Sequence, residues 1–199
     1  FGIVISENLR FSKYINECTS IAFSRSSLIG LFKGFSSRNS QLLVKAFITY
    51  VRPLLEYNTY IWSPKDVGNI NLIERVQRRF TKRIPCVSHL SYKERLEFLG
   101  LDSLEYRRLI YDLVIMYKIV HNLIDVDRDA QLTINSSSVA RNSFLKLYKS
   151  TSISSGRSHF LCVRCVNIWN FLSEETRASA SISAFKNRLV SYNFSTLDR

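Results

Sequence analysis

Cys162-Val-Arg-Cys165 has the spacing of half a zinc site, and His159 stands three residues before it. A structural zinc ion takes four ligands, and no second Cys or His pair lies at a suitable distance. A helix accounts for the same residues more simply. Leu161, Cys165, Ile168 and Leu172 make one stripe spaced 4, 3, 4, and Cys162, Val166 and Trp169 make its neighbour. Cysteine on such a stripe packs as a small apolar residue. Asp125-Val-Asp127-Arg-Asp129 imitates the opening of a calcium loop. Its sixth position would be Ala130 where glycine is needed, and its twelfth Ser136 where glutamate is needed, so it reads as a polar loop. A two-metal polymerase or nuclease centre needs carboxylates converging on ions about 4 Å apart, and the chain has no Asp-Asp pair. His89, His121 and His159 belong to no recognisable nucleophile motif. The six glycines are too scattered for a phosphate-cradling loop. No catalytic residue and no cofactor are expected of this chain.

One constellation survives this search. In Ile73-Glu-Arg-Val-Gln-Arg-Arg-Phe-Thr-Lys-Arg-Ile84, a turn of about 100° per residue puts Ile73, Val76, Phe80 and Ile84 within an arc of about 80°. Arg75, Arg78, Arg79, Lys82 and Arg83 fall on the opposite side. One face is core and the other is a cationic ridge. Like charges repel along a helix, and a polyanion relieves that cost. Arginine's planar fork suits phosphate oxygens better than lysine's point charge. The plainer alternative is an ordinary solvated face, which charge runs often are. The whole chain carries a formal net charge of +12, which favours a polyanionic partner, nucleic acid before membrane. Arg107 and Arg108 form a second basic pair, and Lys146 and Lys149 a weaker patch. Most Tyr and Phe residues lie at core spacing, so the basic surface is expected to track backbones and not to read bases.

Several helices must position these residues. Hydrophobic residues at 46% of the chain are enough for a core, which excludes wholesale disorder. Residues 1–5 are β-like and 6–8 read as a turn. A helix is expected from about Ser12 to Gly34, with Ile15, Thr19, Ala22, Ser26 and Ile29 on one face and Leu28, Leu31 and Phe32 beside it. Residues 36–40 form a polar break that supplies an N-cap. The next helix carries Leu43, Ala46, Phe47, Tyr50, Val51 and Leu54, and Pro53 must kink or divide it. The basic helix is expected over about 70–84 and stops at Pro85. Ser91-Tyr-Lys-Glu94 is a capping box, and the helix it opens ends at Gly100. A further helix is expected over about 103–123, with Tyr106, Ile110, Leu113, Tyr117 and Val120 on one face. Helical period is lost over 125–158, where residues 144–148 have strand character and 150–158 read as a connector. It returns over about 160–172 and 183–192. The expected organisation is a residual strand and turn over 1–10, a helical domain over 11–124, a Ser/Thr/Asn-rich linker over 125–158 and a smaller helical unit over 159–199. The fold class is mainly α.

The chain opens at Phe1 and its one methionine is Met116, so residues are expected upstream. No stretch approaches the roughly 18 apolar residues of a membrane span, and no membrane partner is expected. Four cysteines without a preceding signal peptide suggest a reduced, intracellular setting.

A set of segments, in this order, resembles the region after the polymerase core in reverse transcriptases of non-long-terminal-repeat retrotransposons (LINE-type, jockey-like elements). They are Glu7-Asn-Leu-Arg-Phe-Ser-Lys-Tyr-Ile15, Tyr50-Val-Arg-Pro-Leu-Leu-Glu-Tyr57 with Trp62-Ser-Pro64, the basic segment 73–85, Leu90-Ser-Tyr-Lys-Glu-Arg-Leu96 with Leu99-Gly-Leu101, and Val166-Asn-Ile-Trp-Asn-Phe-Leu172 with Ala184-Phe-Lys-Asn-Arg-Leu189. The likeness covers nearly the whole chain. It departs locally at Asn58-Thr-Tyr-Ile61, where relatives often have a small-Pro pair, and at Ser173, where proline is usual. The resemblance implies a palm-edge strand, a helical bundle-like thumb over 11–124 and a C-terminal region. It implies a template–primer gripping, nucleic-acid-binding role in an RNA-directed DNA polymerase, on an RNA–DNA hybrid or RNA. The Mg2+ ions and catalytic carboxylates are implied to lie in the upstream core, and the nucleus or cytoplasm is implied as the place of action. The residues expected to contact nucleic acid are Arg75, Arg78, Arg79, Lys82, Arg83, Arg107 and Arg108. The alternative is a protein-interaction or scaffolding module that docks on that polymerase core.

Overall fold

A computed structural model of the protein describes residues 2–5, 11–31, 39–134, 145–149, 160–192 and 194, with residues 30 and 31 in backbone only. The described residues are mainly helical, with one two-stranded sheet. They divide into two units, 1–107 and 108–199, and the division falls inside a single helix.

In the first unit, helix α1 (Ser12–Leu31) buries Ile15, Thr19, Ala22, Ser26 and Ile29, the face expected from their spacing. Thr19 is tolerated there because its hydroxyl donates to the Ile15 carbonyl at 2.7 Å. Leu28, expected beside that face, is exposed. Helix α2 (Ser40–Tyr50) starts at Asn39, whose side chain accepts from the amides of Gln41 and Leu42. Pro53 divides the expected helix and does not merely kink it. Val51 ends α2, and α3 (Arg52–Glu56) begins afresh with Pro53 in its first turn, where a missing amide costs nothing. Asn58 takes the left-handed conformation (φ 50°), which Asn tolerates better than most residues, and turns the chain into α4 (Thr59–Trp62). Trp62 is buried edge-on to Tyr14, and its indole N–H donates to the Tyr57 carbonyl at 2.7 Å.

Helix α5 (Val67–Lys82) starts three residues before the apolar spacing suggests. The reason is Asp66, whose carboxylate accepts from the Asn69 amide at 2.8 Å and caps the helix there. Its apolar stripe packs on α1 and α2, with Phe80 stacked on Phe47 at 4.6 Å between centroids. A 3-10 turn follows at Pro85–Val87. Helix α6 (Tyr92–Leu99) has the full capping box, Ser91 and Glu94 each bonded to the other's amide, and Gly100 closes it at φ 62°. Residues 2–5 form no strand among the described residues, which corrects the β-like expectation. A strand needs a neighbour to pair with, and residues 2–5 pair with none among the described residues.

Helix α7 (Leu104–Val120) carries the boundary between units. Its residues from 108 onward belong to the second unit, because their partners lie there. Asp112 takes a bidentate bond from Arg164, Tyr117 donates to the Ser179 carbonyl, and His121 Nε2 lies 2.8 Å from the Arg177 carbonyl. The boundary expected within 125–158 is therefore placed earlier. That stretch is also not featureless. Asp127 caps α8 (Arg128–Gln131) by accepting from the amides of Asp129 and Ala130, so one aspartate of the calcium-like run has a structural task. Strand β1 (Thr133–Ile134) pairs antiparallel with β2 (Leu147–Tyr148). Asn170 completes the sheet edge, its amide bonding both the N–H and the C=O of Leu147.

The expected helix over 160–172 is interrupted at Cys165, giving α9 (Leu161–Arg164) and α10 (Val166–Phe171). Leu161, Cys165, Ile168 and Leu172 are nevertheless all buried. Ser173 caps the unexpected α11 (Glu174–Arg177), and α12 (Ile182–Leu189) is capped by Ser181. Phe185 of α12 stacks on Tyr117 at 4.6 Å and approaches Trp169 at 5.9 Å, which forms the aromatic centre of this unit. The turn at 6–8, the end of α1 beyond 31, the connector at 150–158 and His159 lie outside the described residues. No helix among the described residues is long and apolar enough to cross a membrane.

The Arg164–Asp112 pair (Nε–Oδ2 3.0 Å, Nη2–Oδ1 2.8 Å) is nearly sealed from solvent. Burial disfavours the Arg164 cation, but the facing Asp112 carboxylate outweighs it and raises the pKa above the ordinary arginine value. Arg164→Met should therefore destabilise the chain by about 3–5 kcal/mol in urea unfolding, since it strands a buried carboxylate. The double change Asp112→Leu with Arg164→Met should recover most of that loss.

Candidate nucleic-acid interface

The lateral faces of α5 are set by one rotation. Ile73, Val76, Phe80 and, just beyond the helix, Ile84 are buried, and Arg75, Arg78, Arg79, Lys82 and Arg83 are exposed, as their spacing requires. Between them runs a third stripe, Glu74, Gln77 and Thr81, which is polar and buried. The five cations, with Arg95 of α6, line an open surface depression.

Part of this charge serves the helix itself. Arg79 and Lys82 stand in the last turn and Arg83 at the C-cap, where the negative end of the helix dipole favours cations by about 0.3–1 kcal/mol each. The rest is uncompensated. Among the described residues none of the five forms an ion pair. Glu74 could neutralise Arg78 one turn away, a pairing that helices commonly use. It turns inward instead. Its carboxylate accepts from the amides of Leu104 and Glu105 at 3.2 Å each and from the Tyr92 hydroxyl, and so caps the start of α7. A carboxylate at a helix N-terminus is favoured by the dipole and by the unpaired amides there.

Neighbouring elements hold the ridge from both sides. The Arg78 guanidinium lies 4.9 Å from the centroid of the Tyr92 ring on α6. The Arg79 guanidinium lies 5.7 Å from the Phe23 ring on α1. Arg83 donates to the Ser27 hydroxyl at 3.5 Å. Arg95 is buried and donates to the Thr81 hydroxyl (3.1 Å) and to the carbonyls of Leu90 (2.7 Å) and Arg78 (3.4 Å). It thereby ties α6 to the last turns of α5 through the Thr81 hydroxyl and the Arg78 carbonyl.

The other expected contacts are elsewhere. Arg107 makes a bidentate ion pair with Glu56, and Arg108 is 2% exposed. Arg107 is held by Glu56, which also faces Arg52 at 3.7 Å, and Arg108 is out of water, so neither is exposed as the five ridge residues are. Lys146 and Lys149 flank β2 and belong to the second unit. Glu74, Tyr92, Phe23 and Arg95 were not anticipated. The spacing Glu74, Gln77, Thr81, immediately beside the apolar stripe, was the available signal for a buried polar edge.

The chain matches no protein-family model, and no solved structure matches it. An uncharacterized protein of Caenorhabditis elegans is 27% identical over 150 residues, which is 72% of this chain and 73% of that protein.

Burial, and then the Glu74 charge, raise the Tyr92 pKa far above the ordinary phenol value. The fold thus holds the neutral phenol, while the unfolded chain releases its proton near pH 10. This contribution is complete below about pH 10 and is lost as pH rises beyond it. Urea midpoints measured from about pH 9 to 11 should fall less steeply for Tyr92→Phe than for the unaltered chain. Glu74→Ala should cost about 1–3 kcal/mol at neutral pH, because it leaves two amides and a hydroxyl without their acceptor.

Proposed function

We propose that this chain is the thumb and following C-terminal region of a non-long-terminal-repeat retrotransposon reverse transcriptase, and that α5 grips the template–primer duplex by its phosphates. The observation that carries the reading is the row of five exposed cations on one helix face, none of them ion-paired among the described residues. Charge left uncompensated in this way repels itself until a polyanion arrives. The ordered sequence segments and the mainly helical fold support the same assignment. The chain contributes positioning and no chemistry. The Mg2+ ions of such a polymerase belong to its catalytic core. Action on a chromosomal target would place the parent protein in the nucleus.

A protein-interaction role, docking on the polymerase core, is a second reading. It is favoured by Tyr50, Tyr57, Tyr60, Ile61 and Val67, large apolar side chains exposed over one stretch of the first unit. The two roles are compatible.

Fluorescence anisotropy against an RNA–DNA hybrid tests the first. With all five cations on phosphates, log affinity should fall against log salt with a slope of about −4, a few hundredfold between 50 and 200 mM. Replacing all five with glutamine should abolish most of the binding and flatten the slope. Salt-independent affinity, or binding unchanged by the five substitutions, contradicts the proposal.

A further inference from the structure

The five ridge cations are not equivalent. Arg75 and Lys82 have no ring contact among the described residues, whereas Arg78 lies over Tyr92 and Arg79 near Phe23. Tyr92 is the better fixed of the two rings. Its hydroxyl donates to Glu74 and accepts from Gln77 Nε2 at 3.1 Å, so the ring is tied at its far end to two buried residues of α5. A second guanidinium, that of Arg95, lies 5.5 Å from the same ring. Arg95 is itself immobilised by three acceptors, one of them the Arg78 carbonyl. The backbone and the side chain of Arg78 are therefore both held by α6.

A guanidinium drawn onto an aromatic face by the ring quadrupole keeps its in-plane N–H edge free. That edge is the part that meets a phosphate in bidentate fashion. An exposed arginine loses side-chain entropy when it is fixed on a ligand. An arginine already confined over a ring loses less on binding, which is the general advantage of preorganisation.

We infer that Tyr92 is a positioning residue of the phosphate-binding ridge: it holds Arg78 over its ring so that the guanidinium meets a nucleic-acid phosphate as a fork and not as a loose charge. The inference rests on the nucleic-acid reading of α5 and adds to it a specific division of labour. Tyr92 touches no ligand and carries no charge. Its effect is on the strength of the Arg78 contact and not on the number of phosphates neutralised.

The test uses the full chain, a mixed-sequence RNA–DNA hybrid of about 20 base pairs as probe, and anisotropy titrations at several salt concentrations. Tyr92→Leu removes the ring and should weaken binding about two- to fivefold, the strength of one such contact, with the salt slope unchanged. Tyr92→Phe keeps the ring but loses its anchor at the hydroxyl, and should bind more tightly than Tyr92→Leu and less tightly than the original chain. Arg78→Lys keeps the charge but loses the fork, and should weaken binding as much as Tyr92→Leu does. The double variant should be little weaker than either single one, because both remove the same contact. Arg75→Lys, without a ring partner, should change binding by less than twofold. Circular dichroism establishes that each variant is folded. If Tyr92→Leu is not folded, the contrast between Arg78→Lys and Arg75→Lys decides, and equal effects of the two overturn the inference. A folded Tyr92→Leu that binds like the original chain, or effects that multiply in the double variant, also overturns it and leaves the nucleic-acid reading standing. An original chain that does not bind the hybrid overturns that reading, and the role of Tyr92 with it.

Discussion

The Glu74 carboxylate receives three hydrogen bonds, two from the first amides of α7 and one from Tyr92 of α6. A carboxylate taken out of water is costly unless its oxygens are occupied, and here three donors occupy them. Three features of the first unit depend on this arrangement. The start of α7 is fixed against α5. Tyr92 is anchored by its hydroxyl and so presents its ring to Arg78. The one carboxylate within α5 is withdrawn from the cationic face, so nothing on the helix itself neutralises that face.

Two groups of arginines differ in what surrounds them. Arg95, Arg107 and Arg164 are spent on structure, each bonded to carbonyls, a hydroxyl or a carboxylate. The group on α5 is exposed, bordered by rings and a hydroxyl that orient without neutralising. Arginine suits both groups because its fork makes several directed bonds when buried and still stacks on rings when exposed. Net charge alone does not distinguish them.

The second unit is organised differently, around stacked aromatic rings and one buried ion pair. Tyr117, Phe185 and Trp169 contribute from three separate helices, and Tyr117 and Trp169 also satisfy their polar tips on carbonyls. Large rings with satisfied polar atoms let a small unit bury much surface. Short helices such as α9, α10 and α11 gain little from their own hydrogen-bond ladders, because helix nucleation is unfavourable. Their stability comes from this packing and, for α11, from the side-chain cap at Ser173.

Where periodicity and capping chemistry are local, residue order by itself determined the result. The buried faces of α1 and α5, the capping box of α6, the Gly100 stop and the break at Pro53 all follow from spacing and from one or two side chains reaching their own backbone. The five ridge cations were legible for the same reason, since core and solvent faces of one helix are set by a single rotation. Tertiary structure decided what depends on partners distant in the chain. It sent Arg107 to Glu56 and buried Arg108, although both look like ridge residues in sequence. It assigned most of α7 to the second unit through Asp112, Tyr117 and His121. It turned Glu74 away from Arg78, its neighbour one turn on, because two unpaired amides at the head of α7 and the Tyr92 hydroxyl offered more than a solvated ion pair. A charge's local spacing marks where it can point, and its distant partners decide whether it remains available to a ligand.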